Sequence, residues 1–406
     1  MDLSLRPPEQ LLLEEARRFR EEVIDPSQPH VREWIDDPAE RFPWDVVEEG
    51  SRRGLRTLTV PPAHGGRGAS ALGLCLAVEE LAAGDMGIAV IFDQVWKIVA
   101  TIAELATDEQ QERFFPAFMG DDRYLVAIGV AEPEHATDVH LSRRLDAVEG
   151  RRVSLDTTAT YADGEWVLKG RKMMPSLGST ATLVVVMAQT EPERGIHDGC
   201  TYFLVPTDSP GFRVGRVWEK ISQRLVDNAE IIFDGCRLPE SAMLGTRGGA
   251  RSHPTTAGGN IEAAATTLGS ARAAYELAVD WSRRRVQGGR PLLEHQAIGM
   301  MLAQMATELE AARSLVYRAA VVFDGGDTST PLQYMAKWNA AEVAVRVCTT
   351  AMEVFGGKSI LQEFPVQKHL RDCLSFLHSD GTQQSRLLLI AQRFIDSGAT
   401  ALPPLA

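Results

Sequence analysis

A carboxylate on a glycine turn near the C-terminal end is the residue of this chain best suited to acid–base chemistry. Asp380 stands directly before Gly381 and Thr382, and a helical pattern follows this turn. Tight glycine turns and helix N-termini present backbone N–H groups to anions, so an acid and an anionic ligand could meet there. Asp380 is therefore our candidate general base.

A second acid, Asp93, interrupts an apolar run that otherwise indicates a core helix. It lies between Phe92 and Gln94. A buried carboxylate is costly unless it is paired or used in chemistry. Asp93 is thus a candidate second catalytic group, and the structural alternative is an acid that faces water or a neighbouring helix end.

Length and composition narrow the class of protein. The chain has 406 residues, 44% of them apolar and 24% charged, which is typical of a folded protein of two or three domains. The formal charge is 42 − 55 = −13 and the basic residues are scattered, which argues against a nucleic-acid partner. Five widely spaced cysteines without a C-x-x-C pair predict reduced thiols. Neither a signal peptide nor an apolar run approaching ~18 residues is visible, so we expect a cytoplasmic protein without a membrane partner.

Hydrophobic periodicity divides the chain into three regions. Helical patterns fill residues 1–123, short runs rich in β-branched and aromatic residues fill 124–240, and long helical patterns fill 241–406. The prediction is an α+β fold, mostly α, with an N-terminal helical domain, a middle β domain and a C-terminal helical bundle.

Finer features of these regions are also predicted. Two apolar helices are expected at about 71–83 and 87–105. The charged segment 141–163 is expected to be an extended surface excursion between strands. A loop over 246–259 is expected to lead into a first bundle helix at about 263–285.

Short motifs accompany this order of helices, β domain and helices. In chain order they are Ala131-Glu132-Pro133 with Thr137-Asp138, Trp166 to Lys172, Phe233 to Pro239, Pro291 to Gln296, Ala336-Lys337, Phe355-Gly356-Gly357, and Arg371-Asp372 leading to Gly381-Thr382. Each motif alone is weak, but together, in this order, they are specific. Over essentially its whole length the chain resembles the acyl-CoA dehydrogenase family of flavoproteins, which implies a barrel-like middle domain and a four-helix bundle.

The resemblance implies a bound cofactor, FAD, between the β domain and the bundle. A neighbouring subunit would complete the site in a homotetramer built as a dimer of dimers. The implied cofactor contacts are Val130, Ala131, Thr137, Ser176, Arg285, Gln296, Glu353, Gly356, Gly357, Thr382 and Gln384, and the implied substrate contacts are Thr137, Asn260 and Gly381. Structural alternatives remain, because Arg285 could only cap a helix and the two glycines could only end one.

The resemblance also implies α,β-dehydrogenation of an acyl-CoA thioester. Asp380 would remove the α proton and FAD would accept the β hydride, since side chains cannot take a hydride. Electron transfer flavoprotein would be a candidate oxidant. Asp380 is shorter than the glutamate usual at this position, Gly259 occupies the family's other base position, and Glu262 is a weaker alternative base. Asp93 together with the shortened base favours a cyclic or otherwise non-linear acyl group.

Departures from the family pattern leave two other functions open. Glu134 and Ala136 stand where the family has glycines, Met174 stands where it has an aromatic residue beside the flavin, and Gly288 replaces a phenylalanine. Met174 weakens the case for electron transfer flavoprotein and, with Asp380, favours a flavin oxidase or monooxygenase similar to nitroalkane oxidase. The other changes favour a catalytically inactive homologue that only binds FAD or acyl-CoA.

Overall fold

The first part of the computed structural model is helical. The structure describes residues 5–139, 141, 153–251, 257–328 and 330–397. Its N-terminal helices are α1 (Pro7–Phe19), a π-helical turn (Arg20–Ile24), short helices (Asp25–Ser27, Pro29–Arg32, Pro38–Arg41), α2 (Trp44–Arg52), a 3-10 turn (Pro62–His64), α3 (Ala71–Gly84), α4 (Met86–Leu105) and α5 (Asp108–Gly120). Side-chain caps start the central pair: Ser70 accepts a hydrogen bond from Gly73 N, and Asp85 accepts one from Ile88 N.

Helix α4 is the apolar centre of this region. By length and composition it could cross a membrane, so the expectation that no segment approaches such a span was wrong. In this fold, 78% of its 18-residue apolar window is buried inside the protein. This burial is typical of a core helix, whose apolar side chains face other helices on all sides.

The middle region is an eight-stranded sheet with the order β6-β7-β3-β2-β4-β5-β8, and β1 pairs with β4 in parallel. The strands are β1 (Val126–Gly129), β2 (Thr158–Ala162), β3 (Glu165–Lys172), β4 (Leu183–Gln189), β5 (Cys200–Pro206), β6 (Phe212–Val217), β7 (Ala229–Pro239) and β8 (Met243–Leu244), with short helices at Pro192–Arg194, Gly195–Gly199 and Glu240–Ala242. Every residue of β4 is buried, which fits its central position.

One expectation for this region was wrong, and one strand was not predicted. Segment 141–163 is not only an excursion between strands, because β2 lies inside it and pairs antiparallel with β3; its part at 142–152 lies outside the described residues. Strand β6 was not anticipated, because its glycine and two arginines mask the alternating pattern of a strand that is half-exposed.

The last region consists of long helices. They are α6 (Ala257–Arg284), α7 (Gln296–Asp324), α8 (Leu332–Phe355), α9 (Val366–Ser375) and α10 (Gln383–Ser397), with a two-stranded ribbon (Val286–Gln287 and Arg290–Pro291) and 3-10 turns (Leu292–Glu294, Gly356–Ile360). Helix α6 begins about two turns of chain earlier than expected, because Gly258 and Gly259 lie inside it; residues 252–256 lie outside the described residues.

The three regions meet along α4 and α6. Helix α6 packs against α8, α7 and α9 of its own bundle and also against α3 and α4 of the N-terminal region, while α4 contacts β1. Side chains from one face of α4, from the start of α6 and from the ends of the sheet are thereby brought to a common boundary.

Candidate active site

A cavity of about 690 Å³ lies at this boundary. This volume is in the range of small-molecule and cofactor sites. Seven of the residues selected from the sequence line it: Val130, Ala131, Thr137, Ser176, Asn260, Asp380 and Gly381. The fold therefore joins residues from the sheet, from α6 and from the α9–α10 turn in one site.

The turn that carries Asp380 is held in a left-handed conformation. Asp380 has φ 50° and Gly381 has φ 84°, and a side chain is rarely tolerated at such angles without support. Lys337 supplies that support from α8, because its Nζ donates to the carbonyls of Phe376 at 2.6 Å and Gly381 at 2.8 Å. Arg386 donates from Nε to the Asp380 carbonyl at 3.0 Å. Burial lowers the pKa of Lys337 to about 8.

Lys97 links the two acids that the sequence singled out. Its Nζ lies 2.5 Å from Oδ2 of Asp93 and 3.6 Å from Oδ2 of Asp380. Asp93 is fully buried on α4 and does not line the cavity, whereas Lys97 does. Burial alone would lower the pKa of Lys97, but the carboxylates around it outweigh burial and raise that pKa above its ordinary value. Lys97 thus remains an ammonium between the interior acid and the candidate base.

Gly259 makes room for this lysine. A Cβ added at Gly259 would lie 3.3 Å from Cδ and Cε of Lys97, which is closer than side chains usually pack. The aliphatic stem of Lys97 therefore fills the space in front of the position where the family's alternative base would stand. A side chain at that position would require Lys97 to shift by a few tenths of an ångström.

Asp93 and Glu262 form a buried carboxyl pair behind Lys97. Burial raises the pKa of both groups. The neighbouring carboxyls of Asp93 and Asp380 raise the pKa of Glu262 further. Oδ1 of Asp93 and Oε2 of Glu262 have no hydrogen-bond partner among the described residues. Both shifts favour the protonated forms, because an ionised carboxyl is costly in a buried site beside another carboxyl.

The loop after β1 is fixed by a buried ion pair. Nζ of Lys172 donates to Oε1 of Glu132 at 2.6 Å and to the carbonyl of Val130 at 3.1 Å. Glu132 also accepts hydrogen bonds from the backbone N–H groups of Asp156 and Thr157. Burial raises the pKa of Glu132, but Lys172 and the backbone donors overcome it and hold that pKa below its ordinary value. Val130 and Ala131 are thereby placed rigidly along the cavity.

The residues that replace the family's glycines form a closed turn. Glu132 and His135 exchange backbone hydrogen bonds, and Nδ1 of His135 lies 2.7 Å from Oδ2 of Asp138. The N–H of Ala136 donates to Oδ1 of Asp138 at 2.7 Å. This N–H is therefore used inside the protein, while Thr137, the next residue, reaches the cavity.

Six predicted cofactor contacts do not line this cavity and are exposed. They are Arg285, Gln296, Glu353, Gly356, Gly357 and Gln384. Thr382 is half-buried and its hydroxyl accepts a hydrogen bond from the N–H of Ser385, which caps the start of α10. The structure of one chain thus separates the predicted contacts into a cavity group and a surface group.

Sequence reasoning gave no role to three lysines of this site. Lys97 follows Asp93 by four residues on a predicted helix, and this i,i+4 spacing of acid and base was a readable signal. Lys337 lay inside a recognised motif without an assigned partner. Lys220 contacts the cavity from a loop, and nothing in the local sequence indicated where that loop would lie.

The lining of the cavity fits FAD. Among the described residues, four basic side chains, Lys97, Lys220, Arg251 and Arg386, line it with the single carboxylate of Asp380, although the chain as a whole carries a charge of −13. Such a lining favours the binding of phosphate groups. Apolar walls from Ile128, Met173, Met174 and Pro175 beside the hydroxyls of Thr137 and Ser176 suit a flat ring with few polar edges.

Family models match nearly the whole chain. The acyl-CoA dehydrogenase N-terminal domain matches residues 7–121, the middle domain matches 127–236 and the C-terminal domain matches 253–395. The three matches follow the order of the helical region, the sheet and the bundle.

Individual relatives agree with these models. The cyclohexane-1-carbonyl-CoA dehydrogenase of Geobacter metallireducens is 32% identical over 96% of this chain and 98% of its own. The solved structure of butyryl-CoA dehydrogenase from Megasphaera elsdenii has a TM-score of 0.87 and 31% identity, covering 97% of this chain and 100% of that one. A chain from a study of the electron transferring flavoprotein of Acidaminococcus fermentans has a TM-score of 0.88 and 30% identity, with the same coverage. The chain therefore belongs to the acyl-CoA dehydrogenase family of FAD-dependent oxidoreductases.

Proposed function

We propose that this protein dehydrogenates an acyl-CoA thioester between its α and β carbons, with Asp380 as the base. The observation that carries this proposal is the Asp380 carboxylate, which enters the cavity on a left-handed turn. The turn is anchored by Lys337 and Arg386, so the carboxylate is held in place before substrate arrives. FAD supplies the two-electron acceptor that side chains lack.

The residues of this chain divide the work on the proton. Asp380 takes the α proton through its carboxylate oxygen, because it is the acid that lines the cavity. The ammonium of Lys97 stands 3.6 Å from that carboxylate and stabilises its ionised form before the reaction. Asn260, Thr137 and the backbone at Gly381 are our candidate donors to the thioester oxygen, where negative charge develops.

Anaerobic bleaching of the flavin spectrum tests this function. Purified protein is mixed with straight-chain, branched and cyclic acyl-CoA esters, and the experiment is repeated with Asp380→Asn. One class of ester is expected to bleach the flavin, and the variant is expected to react roughly 10²–10⁴-fold more slowly. The matched control is Asp280→Asn, which changes an exposed acid paired with Arg284. A flavin that no acyl-CoA bleaches, or an unchanged rate in Asp380→Asn, would refute the assignment.

Within this function we propose a cyclic or otherwise non-linear acyl group. The support is a relative named for a cyclohexane-1-carbonyl substrate and the interior acid Asp93 close to the cavity. Asp93 acts behind Lys97 and not on the cavity surface, so its effect on substrate passes through that lysine. Esters of the three classes are compared as kcat/KM, and equal values for Asp93→Asn and the unmodified enzyme on all of them would remove this part of the proposal.

The electron acceptor is proposed to be a flavoprotein, and oxygen is the second candidate. The match to a chain from the electron transferring flavoprotein study supports the first. Met174 supports the second, because this non-aromatic side chain is 44% exposed and lines the cavity. Rapid oxygen consumption with acyl-CoA present would establish an oxidase, and turnover only with an artificial acceptor would exclude it.

We propose that a second copy of this chain completes the cofactor site. The support is the exposure of Arg285, Gln296 and Glu353, all of which were selected as cofactor contacts and none of which lines the cavity of one chain. Arg285→Ala is expected to weaken FAD binding in the assembly, and size-exclusion chromatography with light scattering gives the number of subunits. A monomer that binds FAD fully would contradict this proposal.

A further inference from the structure

Ser176 lies on a turn whose backbone is held by hydrogen bonds from a separate segment. Met174 and Leu177, on either side of Pro175-Ser176, both have left-handed backbones, with φ 60° and 63°. Side chains pay a conformational cost there, so such turns persist only where neighbours impose them. The neighbour is segment 227–229: Leu177 N donates to the Asp227 carbonyl at 2.9 Å, and Ala229 N donates to the Pro175 carbonyl at 3.3 Å.

Asn228 is the side chain that connects this segment to Ser176. Its Nδ2 donates to the carbonyl of Met174 at 2.7 Å and lies 3.2 Å from Oγ of Ser176. Its Oδ1 accepts from Nζ of Lys220 at 2.5 Å. The Lys220 nitrogen donates both to this amide oxygen and to the carbonyl of Val226, so the amide oxygen faces it. The amide nitrogen must then face Met174 and Ser176.

This amide orientation decides what the Ser176 hydroxyl can do. A hydroxyl that accepts from Asn228 keeps its own proton for another acceptor. Ser176, Asn228 and Lys220 all line the cavity, so that proton is available on the cavity side. We propose that Lys220 and Asn228 are positioning residues that hold the Ser176 hydroxyl as a hydrogen-bond donor toward the cofactor.

The contacts and the lowered pKa of Lys220 support a functional role for this side chain. Its Nζ also donates to the carbonyl of Val226 at 2.8 Å, so the ammonium is drawn away from water into the loop. Burial lowers the pKa of Lys220 to about 7, against the opposing effect of nearby carboxylates. The charged groups that face it are Asp227, Asp372, Arg41 and Arg224. A lysine kept at such an electrostatic cost is more typical of a functional site than of a solvated surface.

The first test removes the lysine and follows bound FAD. Lys220→Met keeps the length of the side chain and removes its donor, so the Asn228 amide loses its fixed orientation. We expect an altered visible absorption band of the bound flavin and an FAD dissociation constant about five- to tenfold larger, the loss expected for one hydrogen bond. Lys169→Met is the matched control, because Lys169 is exposed on β3. Unchanged absorption and affinity in Lys220→Met would overturn the proposal.

The second test asks whether the effect passes through Ser176. In a double-mutant cycle, Lys220→Met is introduced into a Ser176→Ala background. We expect no further change in absorption or FAD affinity, since the hydroxyl that the lysine positions is already absent. A full additional effect would show that Lys220 acts independently of Ser176 and would overturn the proposal.

A third variant serves if loss of Lys220 prevents folding. Asn228→Asp retains the contact with Lys220, but a carboxylate accepts the Ser176 proton that should point into the cavity. Its flavin spectrum should match that of Ser176→Ala. A spectrum like that of the unmodified protein would refute the proposed positioning of the Ser176 hydroxyl by Lys220 and Asn228. The inference rests on the proposed placement of FAD beside Ser176. None of these readouts uses acyl-CoA, so failure of this positioning proposal can be distinguished from failure of the dehydrogenase assignment.

Discussion

Replacing Lys97 with methionine should change the pH dependence of catalysis, because this ammonium stands between two carboxylates. Methionine retains the volume of the stem that packs on Gly259 and removes only the charge. Asp93 then loses its 2.5 Å partner, and burial, which already raises the pKa of this carboxyl, favours its protonation. Asp380 cannot take up a proton without losing its proposed function, since it must be ionised to act as a base.

The size of the effect on Asp380 follows from its distance to Lys97. Two unit charges 3.6 Å apart interact by ~5 kcal/mol at an effective dielectric constant of about 20. The side chain of Asp380 is 35% exposed, so solvent screening reduces this to about 2 kcal/mol. Since ~1.4 kcal/mol corresponds to one pH unit, the acid limb of the rate profile should move upward by about one pH unit or somewhat more.

The assay is the anaerobic rate of flavin bleaching by acyl-CoA, measured from acidic to neutral pH for each variant. Lys97→Arg is the matched control, because it keeps the charge, and its acid limb should stay in place. Asp93→Asn frees the ammonium to act on Asp380 alone, so its acid limb should move downward, if at all. An unchanged acid limb in Lys97→Met, with the fold intact by circular dichroism, would refute the coupling between Lys97 and the base.

Two further outcomes concern stability. Lys172→Met should lower the free energy of unfolding by about 3–5 kcal/mol in urea titrations, because it leaves the buried Glu132 carboxylate without its partner; the exposed Lys169→Met should change it by less than about 0.5 kcal/mol. Burial lowers the pKa of His369 to about 4. Below pH ~6.5 this histidine is therefore protonated in the unfolded chain and still neutral in the folded chain. The free energy of unfolding should fall by about 3 kcal/mol as the pH approaches 4. His369→Gln should remove that part of the slope, and an identical slope in the variant would show that another group causes it.

The sequence predicted the parts of the site that lie on local signals. Asp380 was found because an acid before a glycine turn and a helix is a short-range pattern, and the structure places it in the cavity. Asp93 was found as an acid in an apolar helix, but its partner Lys97 was overlooked although the i,i+4 spacing was readable. Strand β2 was missed although Thr158, Thr160 and Tyr161 favour a strand, because the segment 141–163 was judged as a whole from its charge and weak pattern.

The sequence by itself determined the family, the order of the three regions and the candidate base, because these depend on periodicity and on short motifs. Only the tertiary structure decided which charges meet. The contact of Lys97 with Asp380 joins residues 283 positions apart, and Lys220 reaches Ser176 through the amide of Asn228 on a separate loop. Such pairs form because the packing of α4 on α6 and of the sheet on both brings distant segments within a few ångströms, and no local pattern encodes a distance between segments that are remote in sequence.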